Sequence, residues 1–84
     1  MAKLLYFASL REALNSDAEQ LSLPADISTV AQLKDYLAAR GEPWMTAFTA
    51  DAALLVSVNQ QMAQADSHIR DDDEIAFFPP VTGG

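Results

Sequence analysis

The 84-residue sequence contains no cysteine, only three glycines and a single histidine. Without cysteine there can be no disulfide, iron–sulfur cluster, thiolate zinc site or cysteine nucleophile. The glycines are Gly41, Gly83 and Gly84, so no glycine-rich phosphate-binding loop can be assembled from them. Basic residues are also scarce: five Lys and Arg against twelve Asp and Glu give a net charge of −7. That balance argues against nucleic acid and against an anionic membrane surface, both of which are recognised through clustered cations. It favours a basic protein partner. No apolar run reaches the length of a membrane span. In the opening MAKLLYFASLRE, Arg11 and Glu12 cut the apolar stretch short before any small-residue cleavage site. A cytoplasmic location is therefore expected.

What is present is a small globular domain. Half of the residues are apolar and a fifth are charged, a composition that folds. A domain of this size buries only about 60 to 65% of the surface its unfolded chain exposes, so its core has to be efficient.

Residues 3–9, KLLYFAS, read as a strand with apolar side chains on both faces, Leu5 and Phe7 alternating with Leu4, Tyr6 and Ala8. LREAL (10–14) predicts a short helical turn, ended by the turn chemistry of Asn15-Ser16-Asp17. EQLSL (19–23) alternates Leu21 and Leu23 with polar residues, as in a hairpin strand with one buried face. TVAQLKDYLAARG (29–41) predicts the main helix. Thr29 and Gln32 form a capping-box pattern, Val30, Leu33 and Leu37 form an apolar stripe, and Gly41 serves as terminator. EPWMTAF (42–48) predicts a second short helix whose Trp44 and Phe48 pack into the core.

ALLVSVN (53–59) reads as a buried strand followed by a turn at Asn59-Gln60, and QMAQ (61–64) as a weak short strand. DSHIRDDDE (66–74) reads as a polar loop, and EIAFF as the last strand. Five short strands and one main helix imply an α+β roll, a mixed sheet covered on one face. The first and last strands are the most apolar and are expected at its centre. This order of elements is the β-grasp arrangement of ubiquitin-like proteins, with residues 1–80 as the domain and 81–84 as a flexible tail.

The candidate catalytic groups within the chain are weak. His68 lacks a nucleophile or a second good ligand beside it in sequence. The acidic run at 71–74 lacks the alternating spacing and central glycine of a calcium loop, so a solvated turn is the better reading. No metal site is expected.

The terminus is different. In the last strand Ile75 and Phe77 share one face and Ala76 and Phe78 the other. If the helix covers Ile75 and Phe77, Phe78 is left on the open face, the mark of a protein partner. Pro79 and Pro80 end the ladder because they lack N–H donors, and they hold the departing chain extended. A Gly-Gly terminus should occur by chance in roughly one chain in 200.

FFPPVTGG at the terminus, LLYFASLRE near the start and VNQ at 58–60 together resemble the small-subunit family of molybdopterin synthase. The likeness spans nearly the whole chain. The one departure is the Asp71-Asp72-Asp73 turn, where that family usually has glycine.

The resemblance implies a sulfur carrier. An activating enzyme of the ubiquitin-activating type would adenylate the Gly84 carboxylate, because oxide is a poor leaving group. A sulfur donor such as a cysteine desulfurase or a rhodanese-like protein would then convert the glycyl adenylate to a thiocarboxylate (1-thioglycine). Gly83 would ease entry of the tail into narrow sites. With no cysteine to hold sulfur, Gly84 is the only plausible carrier atom source. The sulfur would pass to precursor Z, the cyclic pyranopterin monophosphate, within the large catalytic subunit. No Lys or Arg follows Arg70, so that subunit would have to supply the cations.

Two sulfurs are needed, which implies two carriers in a heterotetramer. The docking face implied by resemblance is Phe7, Met62 and Phe78, with Arg11 at its rim, followed by Pro79, Pro80, Val81 and Thr82 in the tail. No bound cofactor is expected, and the chain alone is not expected to be an enzyme. The alternatives are a carrier for thiazole or another thio-compound, or a ubiquitin-like protein modifier.

Overall fold

The computed structural model describes residues 1–48 and 54–79. Its elements run β1 (Ala2–Tyr6), α1 (Ala8–Leu14), β2 (Ala18–Leu21), α2 (Val30–Ala38), α3 (Trp44–Phe48), β3 (Leu55–Val58), β4 (Gln61–Met62) and β5 (Glu74–Phe78). The strands form one mixed sheet in the order β2-β1-β5-β3-β4. β1 and β5 pair in parallel, and every other pairing is antiparallel. This is the expected β-grasp roll, with the two most apolar strands near its middle.

The strand read over residues 3–9 is shorter than expected. It ends at Tyr6 because Ala8 takes φ +54° and turns the chain into α1. Phe7 still has extended geometry (φ −121°, ψ 156°), and its N–H donates to the Phe77 carbonyl at 3.2 Å. It therefore prolongs the ladder by one residue. α1 is closed by Asn15 in the left-handed conformation, which asparagine tolerates better than most residues.

The capping box on α2 is formed. The Gln32 N–H donates to the Thr29 hydroxyl at 3.2 Å, and the Thr29 N–H donates to Gln32 Oε1 at 3.2 Å. The next orphan donors of the helix are satisfied from the loop before β5: Val30 N–H donates to the Ser67 carbonyl and Ala31 N–H to the Ala65 carbonyl, at 3.1 and 2.9 Å. His68 bridges to Thr29 in this same seam and is exposed.

The acidic turn is structural. An Asp71 carboxylate oxygen accepts from the Leu23 N–H at 2.7 Å. Asp73 accepts from the Arg70 N–H at 2.8 Å and from the Asn59 side-chain amide at 2.9 Å. None of Asp71, Asp72 and Asp73 is among the residues with positive φ, so this turn does not require the glycine usual at this place.

Leu4 and Tyr6 of β1, Ile75 and Phe77 of β5, and Val30, Leu33 and Leu37 of α2 form the core, all essentially inaccessible to solvent. Trp44 and Phe48 stack at 6.1 Å, and Phe48 meets Phe77 edge-on at 5.2 Å. Tyr6, on this inner face, donates its hydroxyl to Glu19 at 2.7 Å. Arg40 grips the same carboxylate through both terminal nitrogens, at 2.8 and 3.0 Å, while lying 4.5 Å over the Trp44 ring. One network thus ties β1, β2, α2 and α3 together, and no buried polar side-chain atom among the described residues lacks a partner. No helix among them is long and apolar enough to cross a membrane.

Candidate functional site: the open face of the sheet

Strand alternation separates the two faces of the sheet. Register pairs Leu4 with Ile75 and Tyr6 with Phe77 on the covered face, leaving Lys3 beside Glu74 and Leu5 beside Ala76 on the other. On the β3 side, Val56 and Val58 oppose Phe77 and Ile75, whereas Leu55 and Ser57 oppose Phe78 and Ala76. Ser57 in turn opposes Met62. No helix among the described residues lies on this second face, and its side chains are largely apolar.

At the exit end of β5, Phe7, Phe78 and Leu55 stand side by side on three adjacent strand paths. The Phe7 and Phe78 rings meet edge-to-face with centroids 6.4 Å apart. Phe7 is 46% exposed, Leu55 38% and Met62 64%. Met62 is two strands across from β5, roughly 10 Å at ordinary strand spacing. Ala76 is buried yet lies outside the core cluster, as its position beneath this outer layer requires. Exposed aromatic and aliphatic groups gathered on one side of a small protein mark an interaction surface.

The structure thus places Phe7 and Phe78 together and Met62 on the same face. Phe78 is half-buried and not fully exposed, because Phe7 and Leu55 flank it. The reading of 53–59 as a buried strand needs a larger correction. Leu55 points to the open face and is exposed, and Ser57 follows it there. Leu55 and Leu5 are the members of this face that sequence reasoning passed over; Ser57, alternating with Val56 and Val58, was the available signal. Arg11 is exposed on α1, one helical turn beyond Phe7, and has no ion pair among the described residues. Pro79 follows β5 directly and is partly exposed. Pro80, Val81, Thr82, Gly83 and Gly84 lie outside the described residues.

The acidic cluster lies away from this patch. Asp71, Asp72, Asp73 and Glu74 sit at the start of β5, a strand length from Phe78. The Asp71 carboxyl is held below the usual carboxylate range, first by the Leu23 N–H and then by the chain's terminal ammonium. Glu19 is also lowered, chiefly by the Arg40 hydrogen bonds, and burial with the Glu19 contact pushes the Tyr6 hydroxyl far up. Among the described residues no three His, Asp or Glu side chains converge as a metal site. What this surface offers is apolar area of the kind that protein partners cover.

Residues 4–84 match the ThiS family. The chain belongs to that family. It is 44% identical to the molybdopterin synthase sulfur carrier subunit of Escherichia coli (strain K12) across all 84 residues, the full length of both proteins. It is 42% identical, again over the full length of both, to the protein of the same name from Haemophilus influenzae. Among solved structures, SAMP1 from Haloferax volcanii superposes with a TM-score of 0.76 at 28% identity, covering 99% of this chain and 98% of that one. The family match runs through Gly83 and Gly84, so the ThiS-family relationship includes the terminal segment as well as the folded body.

Proposed function

We propose that this chain is the sulfur-carrier subunit of a molybdopterin synthase. The observation that carries the reading is the 44% identity to such a subunit over the whole of both chains. The likeness to SAMP1 is weaker, at 28%, and the apolar open face supports a stably docked subunit over a modifier that is passed among many targets.

In this reading the Gly84 carboxylate attacks ATP and becomes an acyl adenylate, with pyrophosphate leaving. A persulfide on the sulfur donor then displaces AMP to give an acyl disulfide, and a thiol reductant cleaves its S–S bond, leaving the thiocarboxylate on Gly84 and a disulfide on the donor side. The open face seats the domain on the large subunit through Phe7, Phe78, Leu55 and Met62. Pro79 and Pro80 direct residues 81–84 into that subunit's pocket, where precursor Z receives the sulfur and the tail returns to a carboxylate. This chain supplies position and sulfur; the large subunit supplies cations and acid–base groups. Two carriers serve each molybdopterin formed, because its dithiolene holds two sulfurs.

The test uses the full chain in two forms. Purified from its native host, a fraction should show a mass in which one oxygen is replaced by sulfur. Given to the cognate large subunit, the thiocarboxylate form should yield molybdopterin in proportion to the carrier added and then stop. The carboxylate form should bind and yield none. A C-terminal extension should abolish transfer and leave the melting temperature unchanged. Full activity from an untrimmed, C-terminally extended chain would overturn the proposal.

A further inference from the structure

With no cysteine, all side-chain sulfur in this protein belongs to Met1, Met45 and Met62. The three are exposed to 65%, 46% and 64%, so each thioether is open to a dissolved oxidant. Their positions differ in consequence. Met1 is at the chain start, where its ammonium lies 3.5 Å from Asp71. Met45 belongs to α3, whose Trp44 and Phe48 pack on the covered side of the sheet. Met62 lies on the open face toward its β3–β4 side, opposite Ser57 in the hairpin, whereas Met1 is at the other end of β1 from Phe7. Met62 also borders a groove of about 460 Å³ shared with Val58, Ala63, His68 and Arg70.

We propose that Met62 is a reversible oxidation site for peroxide-class oxidants in the free domain, and that its sulfoxide weakens docking of the domain on its partner. The inference rests on the docking role of the open face argued above. The Met62 sulfur attacks the peroxide O–O bond, so an S–O bond forms and the O–O bond breaks. The departing hydroxide takes the proton from the oxygen now bound to sulfur and leaves as water; the thioether loses two electrons and the peroxide gains them. The product is polar and chiral where the thioether was apolar and adaptable. On a free domain this costs little, since Met62 is solvated there. Against an apolar partner surface the S=O group must give up its water without a designed donor, a penalty large enough to weaken binding about tenfold or more.

The experiment uses the full carboxylate-terminated chain, treated with dilute hydrogen peroxide, mapped by peptide mass and titrated calorimetrically against the cognate large subunit. Sulfoxide at Met62 should weaken binding about tenfold or more, with an unchanged melting temperature. Methionine sulfoxide reductase should restore it. Met45→Leu should remain sensitive to peroxide, whereas Met62→Leu should bind equally before and after treatment, whatever its starting affinity. Unchanged binding by chains oxidised at Met62, or equal sensitivity in Met62→Leu, overturns the inference. Phe78→Ala separates the two proposals. If it weakens binding while oxidation does not, only the switch fails; if neither it nor Met62→Gln has any effect, the docking face itself is wrong.

Discussion

Alanine replacement of Phe77 and of Phe78, one at a time, turns the alternation of a single strand into two opposite measurements. Phe77 is inaccessible to solvent, stacked on Tyr6 at 6.3 Å and edge-on to Phe48 at 5.2 Å. Removing a ring from such a site costs about 3 to 5 kcal/mol, a transfer loss plus an unfilled cavity. Small domains have only about 5 to 15 kcal/mol in total, and this one belongs near the lower end. At about 4 to 8 °C per kcal/mol for a domain of this size, Phe77→Ala should lower the melting temperature by more than about 12 °C or abolish a cooperative transition.

Phe78 lies on the other face, half-buried against Phe7 and Leu55. Its truncation should cost less than that of Phe77, about 1 to 2 kcal/mol for a ring left partly open to solvent, and hence about 4 to 16 °C. Its effect on the partner should be the reverse. An aromatic anchor at an interface contributes 2 kcal/mol or more, so affinity for the large subunit should fall about 30-fold. Differential scanning calorimetry and partner titration on the same preparations make the comparison. If Phe78→Ala is the more destabilising of the two, or leaves affinity untouched, the assignment of faces is refuted.

Other expectations concern the backbone and the charged network. Gln60 sits at φ +70° beside Asn59 at φ +51° in the β3–β4 turn, where an Asn-Gly pair is the favoured chemistry. Gln60→Gly should therefore raise stability by about 1 kcal/mol in denaturant titration, and a fall would mean that the turn is of another type. Ala8→Gly should be neutral or stabilising by up to about 1 kcal/mol, since φ +54° at Ala8 removes the usual penalty for glycine, whereas Ala8→Val should lose stability. Glu19 titrates below its ordinary 4.5 in the folded chain because Arg40 holds its charged form. As pH falls below that ordinary value, the unfolded chain takes up the proton first, so this stabilisation is present at neutral pH and is lost in acid as the folded pKa is passed. Glu19→Gln should melt lower than the parent at pH 7 and show a shallower decline between about pH 5 and 3; parallel curves would exclude Glu19 from the network.

Much of this architecture was legible because local chemistry and global fold agree. Thr29 and Gln32 announced the start of α2, Asn15 the end of α1, and Asn59-Gln60 the hairpin turn, each through side-chain or backbone preferences that act within a few residues. The alternation Ile75, Ala76, Phe77, Phe78 identified both faces of β5 correctly. The misreadings arose where the deciding factor is nonlocal. Nothing near Leu55 in sequence says that β3 pairs with β5 and brings Leu55 opposite Phe78, so an apolar run was read as buried on both sides. The early end of β1 has a different cause. Ala8 adopts a positive φ that alanine disfavours, and it leads into α1, whose Leu10 and Leu14 are buried in the core. The Tyr6–Glu19–Arg40 network was invisible for the same reason as Leu55, since its members come from β1, β2 and the turn after α2.

The parallel pairing of Lys3 with Glu74 and Tyr6 with Phe77 joins segments separated by nearly the whole sequence. Long-range contacts of this kind carry the loop-closure cost of folding and form slowly relative to local helices and hairpins. The apolar patch is divided across that same junction, with Phe7 supplied by the early segment and Phe78 by the late one. A nascent chain that has not been synthesised through residue 78, or one whose central pairing has opened, cannot present both rings together. A partner that required both aromatics at once would therefore engage only molecules whose sheet has closed.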